Sequence, residues 1–137
     1  DGTQIAFSST RGGGYWQLYV MDADGGNVQQ LLAGSELDWM PAWSPDGTRI
    51  AFVSTRGDGA NMLIFTMDTN GGNLRQLIDG PGVYLDPTWS PDGTQIAFTD
   101  GLHDDYRDIY IMDADGGNLH RLTDDPARYG HPAWSRA

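Results

Sequence analysis

Pro45-Asp-Gly-Thr-Arg-Ile-Ala-Phe52 recurs with one substitution at 91–98, and a third copy without the proline opens the chain at 1–7. The aspartates that these copies share stand 45 and 46 residues apart. Self-similarity at a period of about 40 to 50 residues is typical of a stacked or circular array of one supersecondary unit. We therefore expect function to lie on the assembled surface rather than in one local motif.

Two other words repeat with the same step. Met-Asp-Ala-Asp-Gly-Gly-Asn stands at 21–27, with changes at 67–73, and intact at 112–118. Pro-Ala-Trp-Ser stands at 41–44, with one change at 87–90, and intact at 132–135. Because the three words keep one period along the whole chain, residues 1–137 are expected to form a single domain.

The composition favours an all-β fold and disfavours several kinds of partner. Nineteen glycines and seven prolines in short, evenly spaced clusters suit tight turns between short strands. A formal charge of -11, with eight Lys and Arg in all, disfavours nucleic acid. No apolar run approaches the ~20 residues of a membrane span, so we expect no membrane insertion. Without cysteine there is neither a disulfide nor a thiolate metal site, and no cofactor is expected.

Each repeat divides into four short β segments, which we name A, B, C and D. In the complete second copy they are expected at 41–44, 48–54, 62–68 and 73–78. In Ser-Pro-Asp-Gly between A and B, the proline fixes its own φ and the glycine can take a positive φ, as a tight turn requires. The glycine pair between C and D is typical of a hairpin. Four strands joined in this way form an antiparallel meander.

The B and C segments are apolar on consecutive residues, as in Ile50-Ala-Phe52. A strand with one face in water would alternate apolar and polar residues, so we expect each sheet to be covered on both faces by its neighbours. Trp43, Trp89 and Trp134 recur at one position of the A segment, and we interpret them as core side chains between neighbouring sheets.

Trp43-Ser-Pro-Asp-Gly-Thr-Arg-Ile-Ala-Phe52, together with Leu18-Tyr-Val-Met-Asp-Ala-Asp-Gly-Gly-Asn27, resembles the WD40-like (PD40) repeat of the TolB type. The resemblance covers essentially the whole chain. It implies a β-propeller, commonly of six blades, and a periplasmic or extracellular location in bacteria. The same repeats occur in the periplasmic TolB protein and in non-catalytic propellers of tricorn-like and prolyl-oligopeptidase-like peptidases, so the resemblance implies a fold more strongly than a function.

Three blades are too few to close a propeller of four to eight blades, and the order of segments suggests a solution. The chain is expected to begin with B, C and D of blade 1 (1–33), to continue through blade 2 (41–78) and blade 3 (87–123), and to end with an A segment at 131–135. Two copies that exchange this A strand would form a six-bladed homodimer without exposed edges. The alternative is that the chain is a piece of a longer propeller.

The turns between A and B and between C and D are nearly identical in every repeat, whereas the loops between B and C and between D and A differ completely. Divergent loops are free to specialise, so we expect a binding surface there. Aromatic rings beside polar groups suit a peptide, a protein loop or a sugar ring. The candidate binding residues are Tyr15, Trp16, Trp39, Met40, Tyr84, Asp86, Tyr106, Tyr129 and His131. Met40, Asp86 and His131 precede the A-strand prolines and are expected to border the central channel.

Metal binding and catalysis are weakly supported. Asp22 to Asn27 resembles a calcium loop but lacks the distal glutamate, so we interpret it as a hairpin. His103, Asp104 and Asp105, with His131, form a weak candidate site for a divalent cation. No nucleophile elbow or phosphate loop occurs, and we expect no enzymatic activity.

The sequence therefore favours a non-enzymatic scaffold that binds a protein or peptide through its variable loops. The alternatives are a propeller fragment associated with a peptidase, a glycan-binding protein, or an assembly unit without a specific ligand.

Overall fold

The computed structural model describes residues 2–57, 59–101 and 106–135, and these form three antiparallel sheets without a helix. Blade 1 consists of β1 (Gln4–Ser9), β2 (Gln17–Asp22) and β3 (Gln29–Gln30). Blade 2 consists of β4 (Asp38–Trp43), β5 (Arg49–Ser54), β6 (Leu63–Asp68) and β7 (Arg75–Gln76). Blade 3 consists of β8 (Tyr84–Trp89), β9 (Gln95–Asp100), β10 (Ile109–Asp113) and β11 (His120–Arg121).

Each complete blade is a meander in which neighbours in sequence are neighbours in the sheet, with β4-β5-β6-β7 in blade 2 and β8-β9-β10-β11 in blade 3. These are the predicted A, B, C and D segments. Blade 1 contains β1-β2-β3, which are B, C and D. The all-β prediction is confirmed, and the predicted A segment at 131–135 forms no ladder with the described strands of its own chain.

The A strands begin three residues earlier than predicted because each contains a β-bulge. In blade 2 the pairing shifts between Trp39 and Ala42, and Met40 has a φ of 55°. In blade 3 the shift lies between Leu85 and Thr88, and Asp86 has a φ of 56°. The extra residue allows the strand to keep pairing on the far side of the proline.

The D strands are shorter than predicted. β7 is limited to two residues, and Asn73 lies before it with a φ of 50°, within the turn. D is the outermost strand of its blade and has a partner on one side only. A short edge strand limits pairing with other chains.

The core lies between the blades, as the consecutive apolar residues predicted. Ile50 and Phe52 pack into one cluster with Leu18 of blade 1. Ala51, between them in sequence, belongs to a second cluster with Ile96 of blade 3. The two faces of β5 therefore serve two interfaces, because successive side chains of a strand point to opposite faces.

The tryptophans of the A strands occupy these interfaces. Trp89 is 6% exposed, its Nε1 donates to the carbonyl oxygen of Ala42 at 3.1 Å, and the guanidinium of Arg49 lies 4.8 Å from its ring centre. Trp134 repeats this bond, donating to the carbonyl oxygen of Thr88 at 3.1 Å. Each indole thus joins its own A strand to the A strand of the preceding blade.

The repeated Pro-Asp-Gly-Thr word forms a closed turn between A and B. One carboxylate oxygen of Asp46 accepts hydrogen bonds from the Ser44 hydroxyl at 2.6 Å, the Thr48 amide at 3.0 Å and the Thr48 hydroxyl at 2.9 Å. These bonds, led by the one from Ser44, lower the pKa of Asp46 to about 2. Asp92 in blade 3 accepts the equivalent bonds from Ser90 and Thr94, and its pKa is likewise lowered to about 2. The word is therefore architectural, as its placement in the meander suggested.

Candidate binding surface

The surface formed by the B-to-C and D-to-A loops, which we call the variable side, is held together by one repeated backbone bond. The Asp38 amide donates to the carbonyl oxygen of Trp16 at 2.8 Å, and Tyr84 makes the equivalent bond to Met62 at 2.8 Å. Tyr129 makes it to Arg107 at 2.9 Å. The start of each A segment is therefore bonded to the same point of the blade before it, so the candidate residues of successive repeats lie at equivalent positions.

An apolar cavity opens on the variable side between blades 1 and 2. It has a volume of about 430 Å³ and is lined by Ser8, Trp16, Leu37, Trp39 and Met40. Three of these residues, Trp16, Trp39 and Met40, are sequence candidates that the structure brings together. Trp16 is 50% exposed, so its ring is available to a ligand. An aromatic and aliphatic lining of this kind suits an apolar side chain.

Met40, Asp86 and His131, which each precede the proline of an A segment, lie in a row. All three have positive φ, with His131 at 50°. The Asp86 amide donates to the sulfur of Met40 at 3.5 Å, and Nδ1 of His131 lies 3.0 Å from a carboxylate oxygen of Asp86. The row continues from the cavity, since Met40 belongs to both. Trp16, Trp39, Met40, Asp86 and His131 therefore form one continuous surface.

The four tyrosine candidates do not belong to this surface, because their rings lie apart from it or pack against other side chains. The ring of Tyr84 meets that of Phe98 edge-on at 5.6 Å, and burial is the main reason that its phenol pKa is raised. Tyr129 donates to Asp125 at 2.9 Å, which raises its pKa. Tyr106 lines a separate polar cavity of about 320 Å³ with Arg121. Tyr15 is exposed but does not line the apolar cavity.

A buried ion pair beneath the variable side was missed by sequence reasoning. Asp38 is fully buried and accepts a bond from the Ser54 hydroxyl at 2.5 Å. Arg56 donates to the same carboxylate through Nη2 at 2.6 Å and Nε at 3.2 Å. The pair ties the start of β4 to the loop after β5. The equivalent positions hold Tyr84 and Tyr129, so the repeat pattern gave no signal for the pair.

The cation candidates His103, Asp104 and Asp105 lie outside the described residues, so a cation site there remains a prediction. Within 2–57, 59–101 and 106–135, no three His, Asp or Glu side chains gather as a cation site would require. The predicted hairpin at Asp22 to Asn27 is observed, with Asn27 donating to Asp22 at 2.5 Å. No helix long and apolar enough to cross a membrane occurs in the part of the chain that the structure describes.

Known proteins resemble this chain in sequence and in structure. The family model of the TolB beta propeller domain matches residues 1–137. The Tol-Pal system protein TolB of Methylococcus capsulatus is 44% identical in an alignment of 54 residues that covers 37% of this chain and 13% of that protein.

Two solved structures share the fold over most of the chain. The TolB structure from Agrobacterium tumefaciens superposes with a TM-score of 0.83 at 27% identity, covering 98% of this chain and 51% of that one. The TolB structure from Acinetobacter baumannii gives 0.76 at 27% identity, covering 90% and 31%. The chain therefore spans about half the length, or less, of the proteins that it matches.

Proposed function

The chain belongs to the family of TolB β-propeller domains, and on that premise we propose that it is a non-enzymatic scaffold that binds a protein or peptide. The variable side is the proposed binding surface. A periplasmic or extracellular location is part of the proposal, because the curated relatives carry the name Tol-Pal system protein TolB.

The observation that carries the proposal is the apolar cavity at Trp16, Leu37, Trp39 and Met40. An open cavity of about 430 Å³ with a half-exposed tryptophan at its rim is large enough for an aromatic or long aliphatic side chain. Tryptophan is enriched among the residues that dominate protein interfaces. Trp16 and Leu37 belong to loops that differ between the repeats, Trp39 and Met40 lie at the start of β4, and none of these residues belongs to a repeated word.

The charge of the chain favours a basic partner. A formal charge of -11 attracts a cationic segment over a long range and speeds its encounter with the surface. The acidic neighbour of the cavity is Asp86, next to Met40. We propose as the ligand a segment with one apolar anchor side chain flanked by lysine or arginine.

The proposed assembly is a six-bladed ring formed by two copies of the chain. Three blades leave the first and the last blade of the array each with one uncovered face. In a two-fold dimer the first blade of each copy packs against the last blade of the other, so the same interface forms twice. The A segment of each copy would complete blade 1 of the other.

A peptide library screened on the full chain tests the binding proposal. Binders with one apolar residue between basic residues are expected, and Trp16→Ala should weaken them about tenfold or more in a fluorescence titration, because an aromatic anchor site is lost. Leu122→Ala is the matched control, since Leu122 is an exposed apolar residue outside the cavity. If only oligosaccharides bind, the glycan alternative replaces the proposal. Equal losses in both variants would contradict the proposed site.

A further inference from the structure

The C-to-D turn of blade 2 carries an asparagine where the turns of blades 1 and 3 carry an aspartate. The equivalent residues are Asp24, Asn70 and Asp115, each followed by two glycines. An Asn-Gly pair therefore occurs at 70–71 and nowhere else in the sequence. Because glycine has no side chain to shield its own amide nitrogen, that nitrogen can closely approach the side-chain carbonyl carbon of the asparagine. The pair is thus a candidate for a reaction between side chain and backbone.

The turn exposes the side chain of Asn70 to water and folds it back over the backbone that follows. Asn70 is exposed, and its Oδ1 accepts a hydrogen bond from the Gly72 amide at 2.9 Å. A donor at this oxygen stabilises the negative charge that develops there when a nucleophile adds to Cγ. The nucleophile would be the nitrogen of Gly71, which lies between the two bonded residues. The turn therefore favours attack on Asn70 once that nitrogen is free.

One hydrogen bond restrains the nitrogen of Gly71. Its N–H donates to the carbonyl oxygen of Asp68 at 2.9 Å, and this bond must break before the attack. The turn leads into β7, an edge strand of two residues, so few contacts oppose its opening. Exposed turns open locally at a small fraction of the free energy of global unfolding. A local opening is enough to release the nitrogen while the blades stay folded.

We propose that Asn70 is a site of spontaneous deamidation in the folded protein. The Gly71 nitrogen gives up its proton and forms a bond to Cγ of Asn70, the bond from Cγ to Nδ2 breaks, and ammonia leaves with that proton. Water then opens the cyclic imide at one of its two carbonyls. Opening at Cγ gives aspartate, whereas opening at the main-chain carbonyl gives isoaspartate, whose backbone is longer by a methylene. Water is the only co-reactant, and nothing is oxidised or reduced.

The aspartate product fits the turn as the other repeats show it. Asp24 accepts a hydrogen bond from the amide two residues further on at 2.8 Å, and Asp115 does so at 2.9 Å. Asn70 makes the same bond with its Oδ1 at 2.9 Å, and a carboxylate oxygen would replace that acceptor without a change of shape. Deamidation to aspartate therefore converts the turn of blade 2 into the form that blades 1 and 3 already have, with one more negative charge.

The isoaspartate product does not fit, because the turn packs closely against blade 1. Gly71 has a φ of 83°, and a Cβ atom on it would overlap the carbonyl oxygen of Leu31. Leu32, the next residue, belongs to the buried cluster between blades 1 and 2. An additional methylene in the backbone directly before Gly71 must displace this contact. Isoaspartate at position 70 should therefore weaken the packing between blades 1 and 2.

Incubation of the full chain at mildly alkaline pH, followed by digestion and mass spectrometry, tests the proposal. Trypsin releases 57–75, and its fragmentation should place the mass gain from replacement of NH₂ by OH at Asn70. Asn61 and Asn73 lie in the same peptide without a following glycine and serve as internal controls, and Asn70→Gln should abolish the gain.

The comparison with the unfolded chain decides whether the folded protein reacts. In buffer the rate should fall about tenfold to a hundredfold below the rate in concentrated urea, because only the turn must open. A rate that falls by the full factor of the global unfolding equilibrium, or an unmodified Asn70 in the folded chain, would overturn the proposal.

The stability of the products tests the packing argument separately. Asn70→Asp, which reproduces the aspartate product, should unfold at nearly the urea concentration of the wild type. The isoaspartyl chain, separated by chromatography and identified with an isoaspartyl-specific methyltransferase, should unfold at a lower urea concentration. Equal midpoints for the two products would overturn the inferred contact with Leu31. Neither experiment depends on the proposed ligand or on the proposed ring.

Discussion

Asp46 and Asp92 show how one carboxylate closes a turn. Each accepts three hydrogen bonds, from a serine hydroxyl, a threonine amide and a threonine hydroxyl. Every one of these bonds requires the ionised carboxylate or is weakened by its protonation, and both pKa values fall to about 2. The aspartate of the Pro-Asp-Gly-Thr word is thus explained by the turn alone, without a ligand.

The first prediction concerns acid stability. Because the folded pKa of about 2 lies below the ordinary aspartate pKa of 3.8, the two aspartates stabilise the fold above about pH 4, and this contribution is lost as the pH falls toward 2. Urea unfolding of the wild type between pH 2 and pH 6 should show this loss. The double variant Asp46→Asn, Asp92→Asn should be less stable at pH 6 and should lose less on acidification. An unchanged acid dependence would contradict the turn assignment.

The second prediction concerns the buried pair of Asp38 and Arg56. Asp38 is fully buried, whereas the Arg56 side chain is 17% exposed, so the two partners are not equivalent. Arg56→Met leaves an unpaired carboxylate in the interior and should cost about 3 kcal/mol of unfolding free energy. Asp38→Asn leaves a guanidinium that can reach water and should cost less. Denaturant titration of both variants measures the difference, and the reverse order would contradict the burial argument.

At the scale of the element, the strands that the sequence predicted best are those whose pattern is fully repeated. B and C were placed within one or two residues because their apolar runs and flanking turns recur in every copy. The bulge in the A strands was missed since Met40 and Asp86 differ in residue type, and neither is the glycine that usually marks a positive φ. The proline that follows each of them is the only sequence signal.

The candidate surface was predicted less well than the fold. The divergence of the loops pointed to the variable side, where five of the candidate residues lie together, but it could not separate exposed rings from packed ones. Tyr84 stands at the position of Asp38, one residue before the position of Trp39, so its side chain points to the opposite face of the sheet and its ring packs against Phe98. Leu37 and Ser8 were not expected, since a single leucine or serine carries no pattern of its own.

The third prediction separates a packing tryptophan from a binding one. Trp89 fills the interface between blades 2 and 3, so Trp89→Ala should lower the unfolding free energy by about 3–5 kcal/mol. Trp16→Ala removes a half-exposed ring and should cost less than about 1 kcal/mol. Thermal and urea unfolding compare the two at one protein concentration. Equal destabilisation would show that Trp16 belongs to the core and would remove it from the binding surface.

At the scale of the whole molecule, ligand binding and ring closure meet at one place. The apolar cavity includes Ser8 of β1, and β1 is also the strand that would receive the partner's A strand. Because the peptide cavity and the edge of β1 share Ser8, binding at one site should change the affinity of the other. The sign of this change depends on whether the partner's segment borders the cavity or fills it. If it walls the cavity, peptide and partner favour each other, whereas if it fills the cavity they compete.

The fourth prediction is that a cavity-binding peptide tightens the dimer. If the partner's A segment pairs with β1 in the proposed ring, the register of Trp39 with Val53 puts the partner's Gly130 opposite Ser8. Glycine has no side chain, so the partner's backbone should add contacts to the peptide without displacing it. A saturating peptide should therefore lower the dimer dissociation constant several-fold in sedimentation equilibrium, and by linkage the dimer should bind the peptide more tightly by a matching factor. Deleting 129–137 should remove this coupling and weaken the peptide to its affinity for the monomer. If the peptide instead dissociates the dimer, the partner's segment fills the cavity, and the two sites are alternatives rather than one composite surface.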